Sequence, residues 1–396
     1  MGDTDRNGSE EKQLNKTLSL KDLVLFGVIS IFGSGGFNLI GHAITQGGDY
    51  WPLSLGAAAA LFLGSSKTYE EAYSEFKTNT SESDFLEKIF GPGASYATMA
   101  SILIFNFFSL ATILVLCVRM IIPGAEWLTQ SVFAISLITF MGIFSLEGID
   151  LNKGFINVCS SALVAILSII TVLGFGGVIQ KGVSPIPSIK SVPEQSLTKS
   201  FLYFFYILAG FDALMKFSEE TKNPDDVPRS FYLSNSIAIL FVLGLVFAVI
   251  SFTDLGKVKQ IEQVIGIMLD NILGIQVKDY FSVIAVFFMI VTMFVVFLAT
   301  TRYLYSLGEK YKLDKFTTLN ANKVPVAPVI LTTGLVSTIV LINHVDILVG
   351  VADIALGGFL FLVAAAATVY KYKKSEIPVL EGLTAASFLG IFASAF

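Results

Sequence analysis

Two glycine-containing stretches, each inside a long apolar run, are the residues of this chain best suited to hold a ligand. They are Gly33, Ser34, Gly35 and Gly36 in the first run, and Ala209, Gly210 and Phe211 in a later one. Glycine readily interrupts a helix, and an interruption in apolar surroundings leaves N–H and C=O groups that hydrocarbon cannot satisfy. Free N–H groups suit a carboxylate, and free C=O groups suit an ammonium group or a metal cation. The alternative is that the glycines only let helices pack closely.

The other reactive side chains offer little material for catalysis. The chain has 2 cysteines, Cys117 and Cys159, in separate apolar runs, and 2 histidines, His42 and His344, far apart in sequence. They form neither a disulfide framework nor a metal-binding spacing. The sequence also has no phosphate-binding loop and no catalytic-triad spacing. We therefore expect no enzymatic activity, no bound metal and no cofactor.

The composition of the 396-residue chain is typical of a membrane protein. Hydrophobic residues make up 54% and charged residues 14%, whereas about 25% of residues are charged in soluble domains. A soluble fold of this size cannot bury so much apolar surface. The composition also excludes a disordered chain and a nucleic-acid-binding protein, and the net charge of -5 indicates no polyanionic partner.

Ten apolar runs have about the 20 residues that a helix needs to cross a bilayer. They are 22–46, 52–76, 94–122, 131–147, 155–179, 200–220, 230–252, 279–308, 326–343 and 346–370. Residues 1–21 form a polar tail without a cleaved signal peptide, so we expect the first run itself to insert. An eleventh run of 14 residues, 383–396, covers only about 21 Å. We expect this segment either to be partly inserted into the membrane or to stop within a secondary-structure element.

The distribution of lysine and arginine predicts the orientation. With the N-terminus in the cytoplasm, 19 of the 26 lysines and arginines lie on the inner side. We therefore expect a multi-pass membrane protein with a cytoplasmic N-terminus. The Asn-x-Ser/Thr sequons at Asn7, Asn15 and Asn79 then lie inside and stay without glycan.

The ten spans divide into two halves, which have opposite orientations because five is an odd number. We expect a tail at 1–21, a first five-helix repeat at 22–179, an external loop at 180–199, a second, inverted repeat at 200–370, and a basic loop with a short apolar segment at 371–396. Each half joins its second and third spans by a stretch with helical apolar spacing, 81–91 and 256–274. We expect a short helix at the membrane surface in both stretches.

The glycine-containing stretches lie in the first span of each half. Paired interruptions at matching positions of two inverted repeats indicate the binding site of a transporter. A zwitterionic amino acid presents both of the charges that the freed backbone groups suit. The fold class is therefore an all-α integral membrane protein, with a ten-helix core of two inverted repeats in which helices 1 and 6 are broken.

A series of motifs runs in order through residues 18–375. They are Gly33–Phe37, Tyr69-Glu70-Glu71, Phe90-Gly91-Pro92, the run from Phe205 to Asp212, Glu219-Glu220-Thr221-Lys222-Asn223-Pro224, Val227-Pro228-Arg229, Thr301-Arg302-Tyr303-Leu304-Tyr305, Asn320 and Val324-Pro325. Together they resemble the landmarks of amino acid permeases of the APC superfamily. The Gly-Phe-Asp sequence at 210–212 favours a resemblance to the cationic amino acid transporter branch.

The resemblance implies a LeuT-like fold that moves amino acids by alternating access, with an amino acid and the lipid bilayer as partners. The residues that it places at the substrate site are Ile31, Gly33, Ser34, Gly35, Gly36, Tyr206, Ala209, Gly210 and Phe211. Ser34 and Gly35 would bind the carboxylate, and the carbonyls of Ile31, Tyr206 and Ala209 would take the α-amino group. Tyr206 and Phe211 would flank the side chain. The Ser34 hydroxyl could instead bond back to its own helix.

The coupling ion stays open between sodium and a proton. Proton-coupled relatives carry a lysine in the fifth helix, and the matching residues 157–163 have none. Thr300 and Thr301 would form a sodium site with carbonyls near Ile29 and Phe32. The alternative is that both hydroxyls bond to their own backbone one turn earlier.

Lys216 lies in the sixth span, where a charge costs about 2.5–3.5 kcal/mol on insertion scales. Asp212 precedes it by four residues and Glu220 follows it by four, which is one face of an α-helix. This spacing predicts local ion pairs, as does that of Lys67 and Glu71. The sharper alternative is that Lys216 is a mobile charge that replaces the absent lysine of the fifth helix.

Two other functions fit the same sequence. One is a transport-inactive, permease-like interaction subunit, which is favoured by a chain that stops after ten spans and a fragment where the family usually has twelve or more. The other is a polyamine transporter on the same fold. The two helix breaks favour transport, because a protein that no longer transports has little reason to keep them.

Overall fold

A computed structural model describes residues 14–122, 124–182, 194–258 and 261–395, and in these ranges the chain is helical, with two isolated β-bridges. Residues 1–13, which include Asn7, and residues 183–193 of the expected external loop lie outside the described residues. The helices are α1 Leu20–Gly35, α2 Ile40–Gly47, α3 Trp51–Phe76, α4 Ser81–Phe90, α5 Pro92–Ile121, α6 Trp127–Ser145, α7 Ile149–Lys181, α8 Glu194–Leu208, a 3₁₀ segment Phe211–Glu220, α9 Asp226–Phe252, α10 Val264–Leu273, α11 Lys278–Lys310, α12 Val326–Val340, α13 Val345–Lys373 and α14 Val379–Ala395. Helical pieces of three or four residues lie at Gly48–Tyr50, Leu255–Lys257, Ile261–Gln263 and Asp314–Thr317.

All ten predicted spans are helical, with ends within a few residues of those expected. Within the described ranges, seven are long and apolar enough by themselves to cross a membrane: α5, α6, α7, α8 with the 3₁₀ segment, α9, α11 and α13. The remaining three are the broken first span, α3 with its polar C-terminal turns, and α12 with 15 residues. The protein is therefore a multi-pass membrane protein.

The first span is broken, but later than expected. α1 continues through Gly35, and the turn Gly36–Leu39 separates it from α2. The N–H of Gly36 donates to the C=O of Phe32 at 3.1 Å. Continuing the helix satisfies backbone groups in apolar surroundings. Gly33, Ser34 and Gly35 therefore form the last helical turn of α1, and the interruption follows them.

The sixth span is broken where the sequence predicts. α8 ends at Leu208, Ala209 and Gly210 are not helical, and the 3₁₀ segment begins at Phe211. Gly210 has φ +126° and ψ -10°, a conformation that residues with a Cβ rarely adopt. The 3₁₀ segment is 10 residues long, well beyond the usual three or four, and has three residues per turn. Its side chains therefore point in directions that an α-helix would not give.

In each half of the chain, the connection between the second and third spans contains the expected short helix. This helix is α4 in the first half and α10 in the second. The eleventh segment is also a helix, α14, with 17 residues. It begins directly after Pro378, four residues before the expected start, because the apolar run used for the prediction excluded the polar Glu381 of its first turn. Glu381 binds Lys371 of α13 at 2.8 Å. α14 packs against α13 and α3.

The sixth span lies at the centre of the helices. In the most apolar stretch of 18 residues within this span, 89% of the residues are buried. In the corresponding stretches of α6 and of α7, only 33% of the residues are buried. α2 and α3 pack against α8, and α1, α9 and α11 pack against the 3₁₀ segment. The break at Ala209 and Gly210 is therefore enclosed by both halves of the chain.

Candidate functional site

The sixth-span break is held directly against the first span. The Ser30 hydroxyl of α1 donates a hydrogen bond to the C=O of Gly210 at 3.0 Å. A Cβ on Gly210 would lie 2.7 Å from the Ser30 C=O oxygen, closer than real Cβ contacts allow. Glycine is therefore required at this position both for its φ and for the close approach of the two backbones.

A small cavity lies beside this contact, between α1, α5, the sixth span and α11. Its polar lining consists of Ser30, Asn106, Ser109, Tyr206 and Asp212, and its apolar lining includes Phe105, Ile113 and Val296. The cavity measures about 20 Å³, which is about the room that one water molecule needs. An amino acid could enter only if the surrounding helices moved apart.

Several polar side chains at the cavity have unused hydrogen-bonding capacity. In the described part of the chain, Oδ1 of Asp212 and the hydroxyls of Ser109 and Tyr206 are buried without a hydrogen-bond partner. The Tyr206 hydroxyl lies near Thr112 and Ser109 of α5 and within electrostatic reach of Asp353 on α13. Oδ1 of Asp353 is also buried without a partner among the described residues. A buried polar group without a partner costs about 1–3 kcal/mol. The cluster therefore suits a polar ligand.

The predicted substrate residues divide into two groups. Tyr206, Ala209 and Gly210 line the cavity, and the C=O of Tyr206 accepts a hydrogen bond from the N–H of Ala209 at 3.1 Å. Phe211 does not line it, because its ring packs against Tyr69 and Phe62 at centroid distances of 5.0 and 5.9 Å. Ile31 and Gly33–Gly35 lie further along α1 and Gly36 lies in the turn after it, all outside the cavity lining. The Ser34 hydroxyl lies outside the described side chains.

The structure does not bring Thr300 and Thr301 to the carbonyls of the first span. Their hydroxyls donate to carbonyls about one turn earlier in α11, at 2.7 and 2.8 Å. Thr292 instead donates to the C=O of Ile29 at 2.7 Å. Thr300 lies eight residues beyond Thr292, about 12 Å along the helix. Among the described residues, no group of His, Cys, Asp and Glu could hold a metal ion.

Lys216 does not form an ion pair with Asp212 or Glu220, the two partners expected from the sequence. Its ammonium group binds Glu82 of α4, with both side chains 0% exposed, and lies 5.1 Å from the centroid of the Tyr303 ring. The prediction of local pairs assumed an α-helix. In a 3₁₀ helix four residues turn the chain by about 480°, so Asp212 and Glu220 lie about 120° away from Lys216 around the axis. The local pairing is therefore wrong for Lys216.

The corresponding expectation for Lys67 is confirmed, because α3 is a regular α-helix. Its Nζ lies 3.4 Å from Glu71 and 2.8 Å from Glu70. These side chains are 20–32% exposed, so this is a partly solvated cluster in the C-terminal half of α3.

A layer of buried polar residues closes the cavity towards the predicted inner side. We call Asn79, Glu82, Lys216, Glu220 and Arg302 the inner polar layer. Arg302 of α11 binds Glu220 at 3.1 Å, with both side chains buried. The Asn79 side chain accepts from the N–H of Glu219 at 3.1 Å and donates to Ser306 at 3.0 Å. The layer thus joins the α3–α4 connection and α4 to the 3₁₀ segment and α11.

The comparison with known families decides the assignment. The model of the family described as "Amino acid permease" matches residues 18–396. The chain belongs to the amino acid permease family. The crystal structure of MhsT in complex with L-phenylalanine has the same fold as this permease, with a TM-score of 0.59 and 13% sequence identity over 96% of this chain and 100% of that chain. No curated protein sequence matches the permease.

The permease cavity is closed towards the predicted outer side as well. The Ser200 hydroxyl of α8 donates to the C=O of Ala43 in α2 at 2.7 Å. The rings of His42 and Tyr203 lie 5.6 Å apart between the same two helices. α2 and α8, the parts of the two broken spans on this side, therefore hold each other.

Five residues of the permease site were not expected from the sequence: Ser30, Glu82, Asn106, Ser109 and Asp353. Asn106 and Asp353 did carry a signal, because a polar or ionisable residue inside an apolar span is costly and marks a functional position. Glu82 gave no signal, since it lies in a polar stretch between two spans and its burial depends on how α4 packs.

Proposed function

We propose that this permease carries amino acids across its membrane by alternating access, with its N-terminus on the inner side. One observation carries the proposal. A cavity with unpartnered polar groups lies where the sixth-span break meets the first span, and separate contacts close it towards each side. Opening the α2–α8 contacts would admit substrate from outside, and opening the inner polar layer would release it inside.

The backbone geometry favours a zwitterionic substrate. α1 and α8 both end at the breaks, and a helix C-terminus presents unpaired carbonyl groups and partial negative charge. The substrate ammonium group would lie there, near the carbonyls of Tyr206 and Ala209. α2 begins after the Gly36–Leu39 turn, and a helix N-terminus presents N–H groups that suit a carboxylate. The carboxylate would therefore lie at this turn, next to the predicted residues Ser34 and Gly35.

A cationic substrate, either a basic amino acid or a polyamine, is the second candidate. The observation that favours it is Asp212, whose carboxyl lines the cavity with an unpartnered oxygen. The cavity lining contains no basic side chain. A second ammonium or guanidinium group on the substrate would find its counter-charge there.

Counterflow in proteoliposomes tests the proposed function. Purified protein is reconstituted with unlabelled amino acids inside, and entry of each radiolabelled amino acid and of radiolabelled putrescine is measured without an ion gradient. We expect exchange of at least one amino acid, with weak competition by its amide, which lacks the free carboxylate. Asp212→Asn should reduce exchange of a basic amino acid or putrescine at least tenfold, and exchange of a neutral amino acid less.

The outcomes separate the candidate functions. Exchange of putrescine alone would support the polyamine transporter and contradict the role of the carboxylate. Folded protein that exchanges none of the compounds would support the transport-inactive interaction subunit. Equal competition by an amino acid and its amide would contradict the placement of the carboxylate at the start of α2.

A further inference from the structure

A second cavity lies apart from the substrate cavity, on the predicted outer side of the protein, and we call it the outer pit. It lies between the connection that follows α9, helix α10 and the first residue of α11. The outer pit measures about 590 Å³, within the range of about 300–1,000 Å³ that is usual for small-molecule sites. Its polar side chains are those of Thr253, Asp254, Lys257, Gln263, Asn271 and Lys278. These residues have no role in the transport function proposed above.

The walls of the outer pit are held in place by contacts between the protein's own groups. The Asn271 side chain donates to the C=O of Phe252 at 2.8 Å, which joins α10 to the last residue of α9. The Asp270 carboxylate accepts from the N–H of Lys278 at 2.9 Å, which joins α10 to the start of α11. Because these contacts need no ligand, the pit is preformed, as most small-molecule sites are.

The outer pit contains one unpaired cation. The Lys257 ammonium group binds Asp254 at 2.9 Å, and the Asp270 carboxylate beside the pit is used by N–H groups at the start of α11. The Lys278 ammonium group has no hydrogen bond or ion pair with any residue that the structure describes. The Thr253 hydroxyl is buried and also has no partner in the described ranges. Two lysines and one aspartate give the lining a net charge of +1, which with two unused donors suits an anion that has several oxygen atoms.

The outer pit lies at the level where two membrane spans end. The span in α9 ends at Phe252, one residue before the pit lining begins, and the span in α11 begins at Tyr280, two residues after Lys278. Three large apolar side chains near Lys278 are more than half exposed, those of Leu273, Ile275 and Tyr280. Lysine and tyrosine at the end of a span are typical of the interface between membrane and water. The pit therefore opens at the level of the phospholipid headgroups.

We propose that the outer pit binds the headgroup of an anionic phospholipid. The Lys278 ammonium group pairs with the phosphate, and the Thr253 hydroxyl donates to one of the phosphate oxygens. The amides of Gln263 and Asn271 bind the polar alcohol that the phosphate carries, and the acyl chains run along the exposed apolar side chains beside Lys278. The negative charge of one phosphodiester matches the net charge of the lining. The proposal does not depend on the transport function.

A lipid in the outer pit would also brace α2, the outer part of the first span. The residues just before α10 pack against α2, where a Cβ on Gly41 would lie 2.6 Å from the C=O oxygen of Ile261. A phosphate held by Lys278 and Thr253 joins the start of α11 to the end of α9 across this connection. Bound lipid therefore stabilises the packing of α10 and raises the unfolding temperature.

The experiment measures lipid binding by the full chain, purified in detergent. Dioleoylphosphatidylglycerol is titrated, native mass spectrometry counts the lipids that each protein molecule holds, and tryptophan fluorescence follows thermal unfolding. We expect saturable binding of one phosphatidylglycerol and a rise of several degrees in the unfolding midpoint. Dioleoylglycerol has the same acyl chains without the phosphate and should give neither effect.

Two variants test the two unused donors. Lys278→Gln should weaken the binding of phosphatidylglycerol about tenfold, and Thr253→Val should weaken it about threefold. Without lipid, both variants should unfold within about 2 °C of the wild type, because neither group has a partner to lose. The matched control is Lys199→Gln in α8, which removes an exposed lysine on the same predicted side and should keep the wild-type affinity.

Three results would contradict the proposal. Equal affinity of the wild type and Lys278→Gln would overturn the site. Dioleoylglycerol that binds as tightly as phosphatidylglycerol would overturn recognition of the phosphate. Displacement of the lipid by glycerol 3-phosphate or inorganic phosphate, at concentrations near that of the lipid, would assign the pit to a soluble anion. Counterflow in proteoliposomes tests the transport function separately, so failure of one proposal is distinguished from failure of the other.

Discussion

Helix α4 takes part in two groups of the same chemistry in very different surroundings. In the buried trio, Lys216 binds Glu82 and lies 5.1 Å from the centroid of the Tyr303 ring. In the exposed trio, Lys88 binds Glu75 and lies 5.6 Å from that of Tyr370. The lysine and glutamate side chains are 0% exposed in the buried trio, and 45% and 26% exposed in the exposed trio.

The difference shows what an ion pair contributes in each place. A solvated pair adds about 0–1 kcal/mol, and its charges remain hydrated when it opens. For a buried pair the cost of removing both charges from water offsets most of the attraction, so the pair is weak evidence for stability. The exposed trio fastens α4 to α3 and α13. The buried trio is costly to form, and each of its two charges depends on the other staying in place.

The largest expected effect is on the free energy of unfolding when one charge of a pair is removed. Lys216→Met leaves Glu82 ionised and buried without a counter-charge, so we expect a loss of about 3–5 kcal/mol. Lys88→Met should cost less than about 1 kcal/mol. Thermal unfolding of the purified variants in detergent, followed by fluorescence of the 2 tryptophans, measures the difference.

The double variant Lys216→Met/Glu82→Gln serves as the control for this comparison. It should recover most of the loss, since no uncompensated charge remains. Equal small losses for Lys216→Met and Lys88→Met would contradict the burial of the first pair.

The second effect concerns the backbone that places the buried trio. The 3₁₀ segment carrying Lys216 starts after Gly210, where φ is +126° and a Cβ would lie 2.7 Å from the Ser30 oxygen. Gly210→Ala should therefore cost about 1–3 kcal/mol in strain, or more if the Ser30 contact is lost. Gly56→Ala in α3 has open space and should be neutral or stabilising by about 0.5–1 kcal/mol. The same thermal unfolding assay applies, and a harmless Gly210→Ala would refute the close approach.

Sequence reasoning located the spans and the sixth-span break, placed the first-span break a turn too early, and did not find the partners of the buried charges. Apolar runs of about 20 residues and glycine interruptions are local features, so α1 to α14 follow the predicted runs closely. The pairing of Lys216 with Glu82 joins residues 134 positions apart and depends on how α4 packs. The α-helical period, which places Asp212 beside Lys216, does not hold in a 3₁₀ segment.

The residues that line the cavity show the same limit of prediction from local sequence patterns. Gly210 was predicted from the break itself and Tyr206 from the resemblance to amino acid permeases, whereas Asn106 and Ser109 reach the cavity from α5, which carries no interruption. Asp353 of α13 approaches Tyr206 from the far end of the second repeat. Only the packing of helices from both halves brings these residues together, and no local pattern encodes that packing.

The third effect concerns the hydroxyl group of the tyrosine in each trio. Among the described residues the Tyr303 hydroxyl has no hydrogen-bond partner, so Tyr303→Phe should change the free energy of unfolding by less than about 0.5 kcal/mol. The Tyr370 hydroxyl donates to Glu75, so Tyr370→Phe should cost about 1 kcal/mol. Thermal unfolding is measured on both variants. A larger loss for Tyr303→Phe than for Tyr370→Phe would contradict these hydrogen-bond assignments.

The smallest effect is the response to salt. Salt screens solvated pairs and hardly affects buried ones. The stability difference between wild type and Lys88→Met should therefore shrink by a few tenths of a kcal/mol between 50 mM and 1 M sodium chloride, well within the range of an exposed pair. The difference between wild type and Lys216→Met should stay constant over the same range. A parallel salt response of the two variants would indicate that water reaches the buried trio.

The central claim is that the buried trio belongs to the inner polar layer, which opens during transport, and that the exposed trio does not. The most direct test measures counterflow of pooled, radiolabelled amino acids in proteoliposomes. The account predicts that Lys88→Met/Glu75→Gln exchanges substrate within about twofold of the wild-type rate, and that the rate of Lys216→Met/Glu82→Gln differs from the wild-type rate by about threefold or more at equal amounts of folded protein. Equal rates in both double variants would contradict the account.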